Sequence, residues 1–193
     1  MHHENKEASS ENILPLLKKR WSPRAFSDRD IDPDIMTAIM EAAQWSASSY
    51  NEQPWRYVIG TRGSETYHKI LEGLVEFNQS WASQASVLIV TLAKMKFSNE
   101  DGHDNPHAWH DVGAASAQMT MQALAHDVYV HQMAGFDADT LRSLFSIDGD
   151  LDVVTVLALG YEGDPDTLPE GLAEAEKKGR ERKLLSEIII KRD

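Results

Sequence analysis

The stretch Val87-Leu88-Ile89-Val90-Thr91-Leu92-Ala93 decides how the rest of the chain has to be arranged. Thr91 aside, every side chain in it is apolar, with no alternation of polar and apolar positions. A strand built from it must therefore be covered on both faces. The run is far shorter than the ~20 residues needed to span a bilayer. Leu151 to Leu159 (LDVVTVLAL), ending at Gly160, reads as a second strand of the same central kind. Trp55 to Thr61 (WRYVIGT) is aromatic and β-branched, and it reads as a strand as well.

Between these runs the apolar period becomes helical. Asp32 followed by Pro33 is an N-cap and first-turn pair, and Ile35, Ile39, Met40 and Ala43 recur at helical spacing up to Gln44. Ser64 caps a helix expected to run to Phe77 through Tyr67, Ile70, Leu71 and Leu74. His107 to His126 reads as the longest helix and a mostly buried one. Asp137 caps another through about Phe145. A short helix from about Ser10 to Lys19 stops before Arg20-Trp21-Ser22-Pro23-Arg24-Ala25-Phe26, and Leu184 to Ile190 is expected as a closing strand. Helices and strands in this order imply an α+β or α/β layered fold. With no internal repeat and evenly spread turn signals, one domain over residues 12–193 is expected, preceded by a flexible tail at residues 1–11.

The 193 residues carry 31 acidic and 19 basic side chains, a net charge of −12. Such an excess of acid repels a nucleic-acid duplex and an anionic membrane face, so neither is expected as a partner. The chain contains no cysteine, which excludes disulfides, thiolate nucleophiles and Cys-ligated metal sites; redox chemistry would need a bound cofactor. The polar start MHHENKEASSEN does not read as a signal peptide, and a soluble cytoplasmic protein is expected. The charge is unevenly placed. Residues 97–176 hold 16 acids against the single Arg142, whereas 11 of the 19 basic residues fall within Lys18 to Arg24 and Lys177 to Arg192.

Two polar segments stand out. In Arg20 to Phe26, Arg20, Ser22 and Arg24 can converge on one phosphate, because arginine offers a planar fork of donors and serine adds a short one. Read alone, the segment is equally well a solvated basic helix end opposing the helix dipole. Ala47-Ser48-Ser49-Tyr50-Asn51-Glu52-Gln53-Pro54-Trp55 gathers amides and hydroxyls suited to the edge of a polar heterocycle. Read alone, it is also a turn whose Ser and Asn bond their own backbone.

Together the two segments resemble the FMN-dependent nitroreductase family, whose members carry R-x-S-x-R/K-x-F near the N-terminus and S-S-x-N-x-Q-P-W some 25 residues later. Arg20, Ser22, Arg24 and Phe26 match the first, and Ser48, Ser49, Asn51, Gln53, Pro54 and Trp55 the second. Phe77 to Ala82, His110 to Gly113, Met133 to Asp137, Ala158 to Tyr161 and Arg180 to Lys183 extend the likeness over about residues 12–190. The resemblance implies a mainly antiparallel sheet flanked by helices, and a homodimer with exchanged C-terminal segments and two FMN sites at its interface. The activity implied is transfer of hydride from NADH or NADPH, through flavin N5, to a nitroaromatic, quinone or related small acceptor by ping-pong turnover. No catalytic side chain is implied, since the flavin carries the chemistry.

On matching positions, Arg20, Ser22, Arg180 and Arg182 would hold the FMN phosphate, with the Trp21 backbone near the ribityl chain. Arg24 and Asn78 would face the pyrimidine edge, Met133, Ala134 and Gly135 would lie near N5, and Ser48, Ser49 and Asn51 would reach in from the other subunit. Many members have Glu where this chain has Ala134. The C-terminal basic pair aligns as Arg180 with Arg182, or else as Arg182 with Lys183, and the first is preferred. The helical insert that covers the flavin in longer members is reduced here, to the acidic stretch around Phe97 to Pro106. A flavin-binding module with little NAD(P)H turnover is the alternative.

Other chemistries are weaker. His103, His107, His110 and Asp111 have the residue types of a metal site, but Pro106 breaks the run, and none is expected. A serine-hydrolase G-x-S-x-G elbow and a dinucleotide G-x-G-x-x-G turn are absent from the sequence. Trp45, Trp81 and Trp109 read as core or interface rather than substrate platforms.

Overall fold

The computed structural model describes residues 12–99 and 102–192. The expected tail at residues 1–11 and two residues of the acidic loop lie outside them. Four strands form one sheet among the described residues: β1 (Trp55–Thr61), β2 (Val87–Lys94), β3 (Val128–Met133) and β4 (Leu151–Tyr161), in the order β1-β2-β4-β3. All three pairings are antiparallel. β2 and β4 are the central pair, which accounts for their continuous apolar sequences.

The sheet is covered on both faces. α2 (Pro33–Gln44) and α5 (Ala108–Ala125) lie over one, where Ile39, Ala43, Val112, Ala115 and Met119 pack on Val87, Ile89, Val130, Leu157 and Leu159. α3 (Glu65–Glu72), α4 (Glu76–Ala82) and α6 (Ala138–Phe145) lie over the other, where Tyr67, Ile70, Trp81 and Leu141 meet Leu88, Val90, Leu92, Met133 and Val156. Thr91 opposes Thr155 while Leu92 opposes Val153, so Val154 is an extra residue in β4. This bulge reverses which face the following side chains take.

The caps read from sequence are formed. Asp32 accepts from the Asp34 amide, Ser64 from Tyr67 and Asp137 from Thr140. Four elements differ from expectation. β3 was not anticipated, although Val128-Tyr129-Val130 has β-branched and aromatic character. The helix expected from Ser64 to Phe77 is interrupted at Gly73–Val75 and restarts as α4. There Leu74 bridges Phe136, and the Val75 amide donates to the Gly135 carbonyl, so tertiary partners replace helical ones. The first described helix, α1 (Pro15–Lys19), starts at Pro15 rather than near Ser10, because proline fits a first turn and not a helix interior. The closing strand is instead a single turn of helix, α8 (Leu185–Ile188), preceded by the short α7 (Leu172–Glu176). No strand of the sheet pairs with it, and the Leu184 amide bonds Glu187 Oε2 locally.

Candidate functional site

The segment Arg20 to Phe26 is fixed along its length by parts of the chain distant in sequence. Its C-terminal end lies beside the end of β4: Phe26 bridges Glu162, Ser27 N donates to the Tyr161 carbonyl, and Gly163 N donates to Ala25 O. Two glycines permit this approach. A Cβ on Gly163 would stand 2.5 Å from the Phe26 carbonyl carbon, and one on Gly160 would stand 2.8 Å from the Phe26 ring. The Phe26 ring, nearly buried, stacks on the fully buried Trp81 at 6.5 Å.

The middle of the segment is held from both sides. His131 on β3 donates from Nδ1 to the Pro23 carbonyl at 2.9 Å; a carbonyl can only accept, which fixes the tautomer. The Glu176 carboxylate at the end of α7 accepts from the Arg24 amide, and from the Ala25 amide at 3.0 Å. Arg24 Nη1 stands 3.7 Å from Glu176 Oε2, and the Glu176 side chain is only 1% exposed. Arg24 Nε is buried without a hydrogen-bond partner among the described residues. Burial, with a smaller contribution from the nearby Arg24 charge, pushes the His131 imidazole down to about 4, so the ring is neutral at pH 7.

At the N-terminal end of the segment three guanidinium groups come together. Arg180 donates to the Arg20 carbonyl, and to the Lys18 carbonyl at 2.6 Å. Arg20 Nη1 lies 3.2 Å from Ser22 Oγ. Burial, then the charges of Arg182 and Arg180, hold the Arg20 guanidinium below an ordinary arginine; burial and Arg182 do the same to Arg180. Cations assembled so that they weaken one another's charged form make a site whose stability improves when an anion enters. Arg20 and Ser22 thus lie near Arg180 and Arg182, which come from the opposite end of the chain, whereas Arg24, read with Arg20 and Ser22 as a phosphate donor, is paired with Glu176 instead. Trp21 lies beside them, its ring edge on Tyr129 at 6.3 Å.

Asn78 and the segment Met133 to Gly135 form a second group. Asn78, nearly buried on α4, donates from Nδ2 to the Gly135 carbonyl at 2.9 Å. Thr155 Oγ1 donates to the Met133 carbonyl at 2.7 Å, and Ala134 is exposed.

Ser48, Ser49 and Asn51 are not brought to the arginines. The Ser49 amide donates to the buried Asp111 at 3.0 Å in the first turn of α5, whereas Leu124 and Ala125, at its other end, line a pocket with Trp21, Tyr129 and Arg180. The 13 residues from Asp111 to Leu124 separate the two places by about 20 Å of helix. Ser48 Oγ accepts from the Gln53 amide, and Tyr50, Asn51 and Gln53 have φ of 52°, 56° and 52°. Such strain in non-glycine residues persists only where the surroundings impose it. Asp111, weighed in the sequence as a metal ligand, thus anchors this loop instead. No group of three or more His, Asp or Glu side chains is gathered for a metal among the described residues.

His131, Glu176 and Asp111 were not anticipated in these roles. Each is a polar residue in a buried setting, recognisable only when its distant backbone partner is known.

The Nitroreductase family model matches residues 17–76 and 62–161. The chain is 34% identical over 142 residues to a 15.4 kDa protein from the ask 5′ region of Mycolicibacterium smegmatis, covering 70% of this chain and 94% of that one. It is 30% identical over 159 residues to an Archaeoglobus fulgidus protein bearing an NADH dehydrogenase/NAD(P)H nitroreductase name, covering 80% and 87%. A crystal structure described as an oxidoreductase containing FMN superposes with a TM-score of 0.91 at 32% identity, over 98% of this chain and 96% of that one. Sequence, fold and the two polar segments thus converge, and the chain belongs to the nitroreductase family.

Proposed function

We propose that the protein is a homodimeric FMN-dependent oxidoreductase that draws hydride from NADH or NADPH and passes reducing equivalents to a nitroaromatic, quinone or related small acceptor. The observation that carries this reading is that Arg180 reaches the Arg20 carbonyl beside Ser22, with the charge of Arg182 near enough to act on both guanidiniums. That donor set suits a phosphate monoester, and the buried Arg24 Nε and the Asn78–Gly135 pair suit the polar edge of a flavin.

In this reading Arg20, Ser22, Arg180 and Arg182 hold the phosphate and the Trp21 backbone borders the ribityl chain. Arg24 and Asn78 meet the pyrimidine edge, where positive charge and an amide donor favour added negative charge. Met133, Ala134 and Gly135 border the N5 side through backbone groups, which Asn78 and Thr155 hold in place. FMN, when bound, supplies hydride acceptance and delivery at one position, so that donor and acceptor take turns in one pocket. No side chain needs to act as nucleophile or metal ligand.

Two observations support the homodimer. An apolar groove of about 570 Å³ is lined by Leu14, Leu17, Trp45 and Met121, and Trp45 is 84% exposed. Leu184, Leu185, Ile188 and Ile190 stand exposed at the C-terminal end of the described chain, and a covering partner fits such a stripe. Ser48, Ser49 and Asn51, too far from the arginines of their own chain, would then serve the second subunit's site.

A visible absorption spectrum of the purified protein with added FMN tests the first step; no bound flavin means the reading is wrong. Anaerobic stopped-flow mixing with NADPH and with NADH tests the second. The exposed Ala134, where many family members have Glu, favours one other reading, a flavin-binding module, which slow reduction by both donors would support.

A further inference from the structure

We propose that Glu176 is a positioning residue that sets how much positive charge Arg24 presents to the flavin site, and so lowers the potential of the bound flavin. The inference rests on the functional reading above but concerns a residue outside the motifs that define it.

Glu176 is 2% exposed at the C-terminal end of a helix of five residues. A carboxylate is retained in such a place only when its charge is compensated. Three groups compensate it here: the amides of Arg24 and Ala25, and the Arg24 guanidinium at 3.7 Å. All belong to a tripeptide whose first residue, Pro23, is held on its other side by neutral His131. Backbone and side chain of Arg24 are thus tied to one buried negative charge. Because the Glu176 carboxylate is shielded from water, it offsets the partly exposed Arg24 charge at short range more than an exposed carboxylate would.

A guanidinium beside the pyrimidine edge favours the reduced flavin, which carries added negative charge there. Glu176 offsets that effect. Replacement by glutamine removes the charge and leaves an amide oxygen that can still accept from both backbone N–H groups, so Glu176→Gln alters the electrostatics while keeping the anchor.

The test is the reduced-to-oxidised ratio of bound FMN, read spectroscopically against a dye of known potential, for the unaltered holoprotein and for E176Q. The ratio at fixed potential is expected to rise about tenfold in E176Q, equivalent to about 30 mV for a two-electron couple. In an Arg24→Gln background the same substitution is expected to lose most of that effect. An unchanged ratio in folded, FMN-loaded E176Q, even with weaker FMN binding or a lower melting temperature, would show a purely structural role and overturn the proposal. A full-sized shift that persists without Arg24 would overturn it too, since Glu176 would then act on the flavin directly. If E176Q does not fold, Glu176→Asp keeps the charge one methylene further from Arg24. A smaller rise supports the proposal, and no rise overturns it. Failure of the unaltered protein to bind FMN overturns the functional reading, and this inference with it. That result is distinct from a bound flavin of unaltered potential.

Discussion

His131 donates from Nδ1 to the carbonyl oxygen of Pro23 at 2.9 Å, across 108 positions of sequence, and its ring centroid lies 4.5 Å from that of Trp81. Burial pushes this imidazole from 6.5 down to about 4. Between those values the unfolded chain binds a proton that the folded chain refuses, so stability rises with pH in that window. The contribution is complete above pH 6.5 and is lost as pH falls, by on the order of 3 kcal/mol at pH 4. Urea midpoints from pH 7 to 4 should show this slope. His131→Asn, which keeps a donor near Pro23 and cannot titrate, should flatten it.

Arg20→Ala and Arg180→Ala should each weaken FMN retention by about 1.5–3 kcal/mol, the value of a charge-assisted hydrogen bond, or roughly ten- to hundredfold in Kd. Quenching of flavin fluorescence on binding measures this. Unchanged affinity in both variants would place the phosphate elsewhere.

Gly135 has no room for a side chain. A Cβ there would stand 2.6 Å from Asn78 Nδ2 and 2.9 Å from Val75 Cγ2. Gly135→Ala should cost roughly 1–3 kcal/mol of stability through overpacking. It should also disturb the Asn78 contact that orders the 133–135 backbone. Thermal melting of the flavin-free protein checks the first effect without reference to activity.

Asp111→Ala leaves the Ser49 amide without its acceptor and removes the anchor of a loop holding three left-handed non-glycine residues. A loss of about 1–3 kcal/mol is expected. Limited proteolysis should show faster cleavage within residues 48–53, and equal cleavage rates would show that the loop holds its shape unaided.

Trp45, 84% exposed beside the groove of Leu14, Leu17 and Met121, is the test of association. Trp45→Glu would bury a charge in the proposed subunit interface and should shift sedimentation from dimer towards monomer. A variant that stays dimeric would put the interface on another face.

How much of this was legible depends on whether a signal is local. The caps at Asp32, Ser64 and Asp137 bond amides two or three residues away, and the runs Val87 to Ala93 and Leu151 to Leu159 declare two-sided burial through their own composition. The break at Gly73–Val75 was not legible. Leu71 and Leu74 continue the helical spacing, and what stops the helix is the backbone of residues 135 and 136. β3 was missed for a related reason: six residues with a histidine and a glutamine among them carry a weak strand pattern, and the pairing to β4 decides their state.

The sequence by itself determined the strands that must be buried, the capped helices and the two polar segments whose residue types suit an anionic heterocyclic cofactor. It also placed 11 of 19 basic residues in two short stretches near opposite ends. Only the tertiary structure decided that those stretches meet, with Arg180 reaching the Arg20 carbonyl and Glu176 reaching the Arg24 amide across 152 positions. The physical reason is range. Periodicity and capping act over a few residues, whereas the convergence of charges follows from the order in which strands pair, which no local pattern encodes.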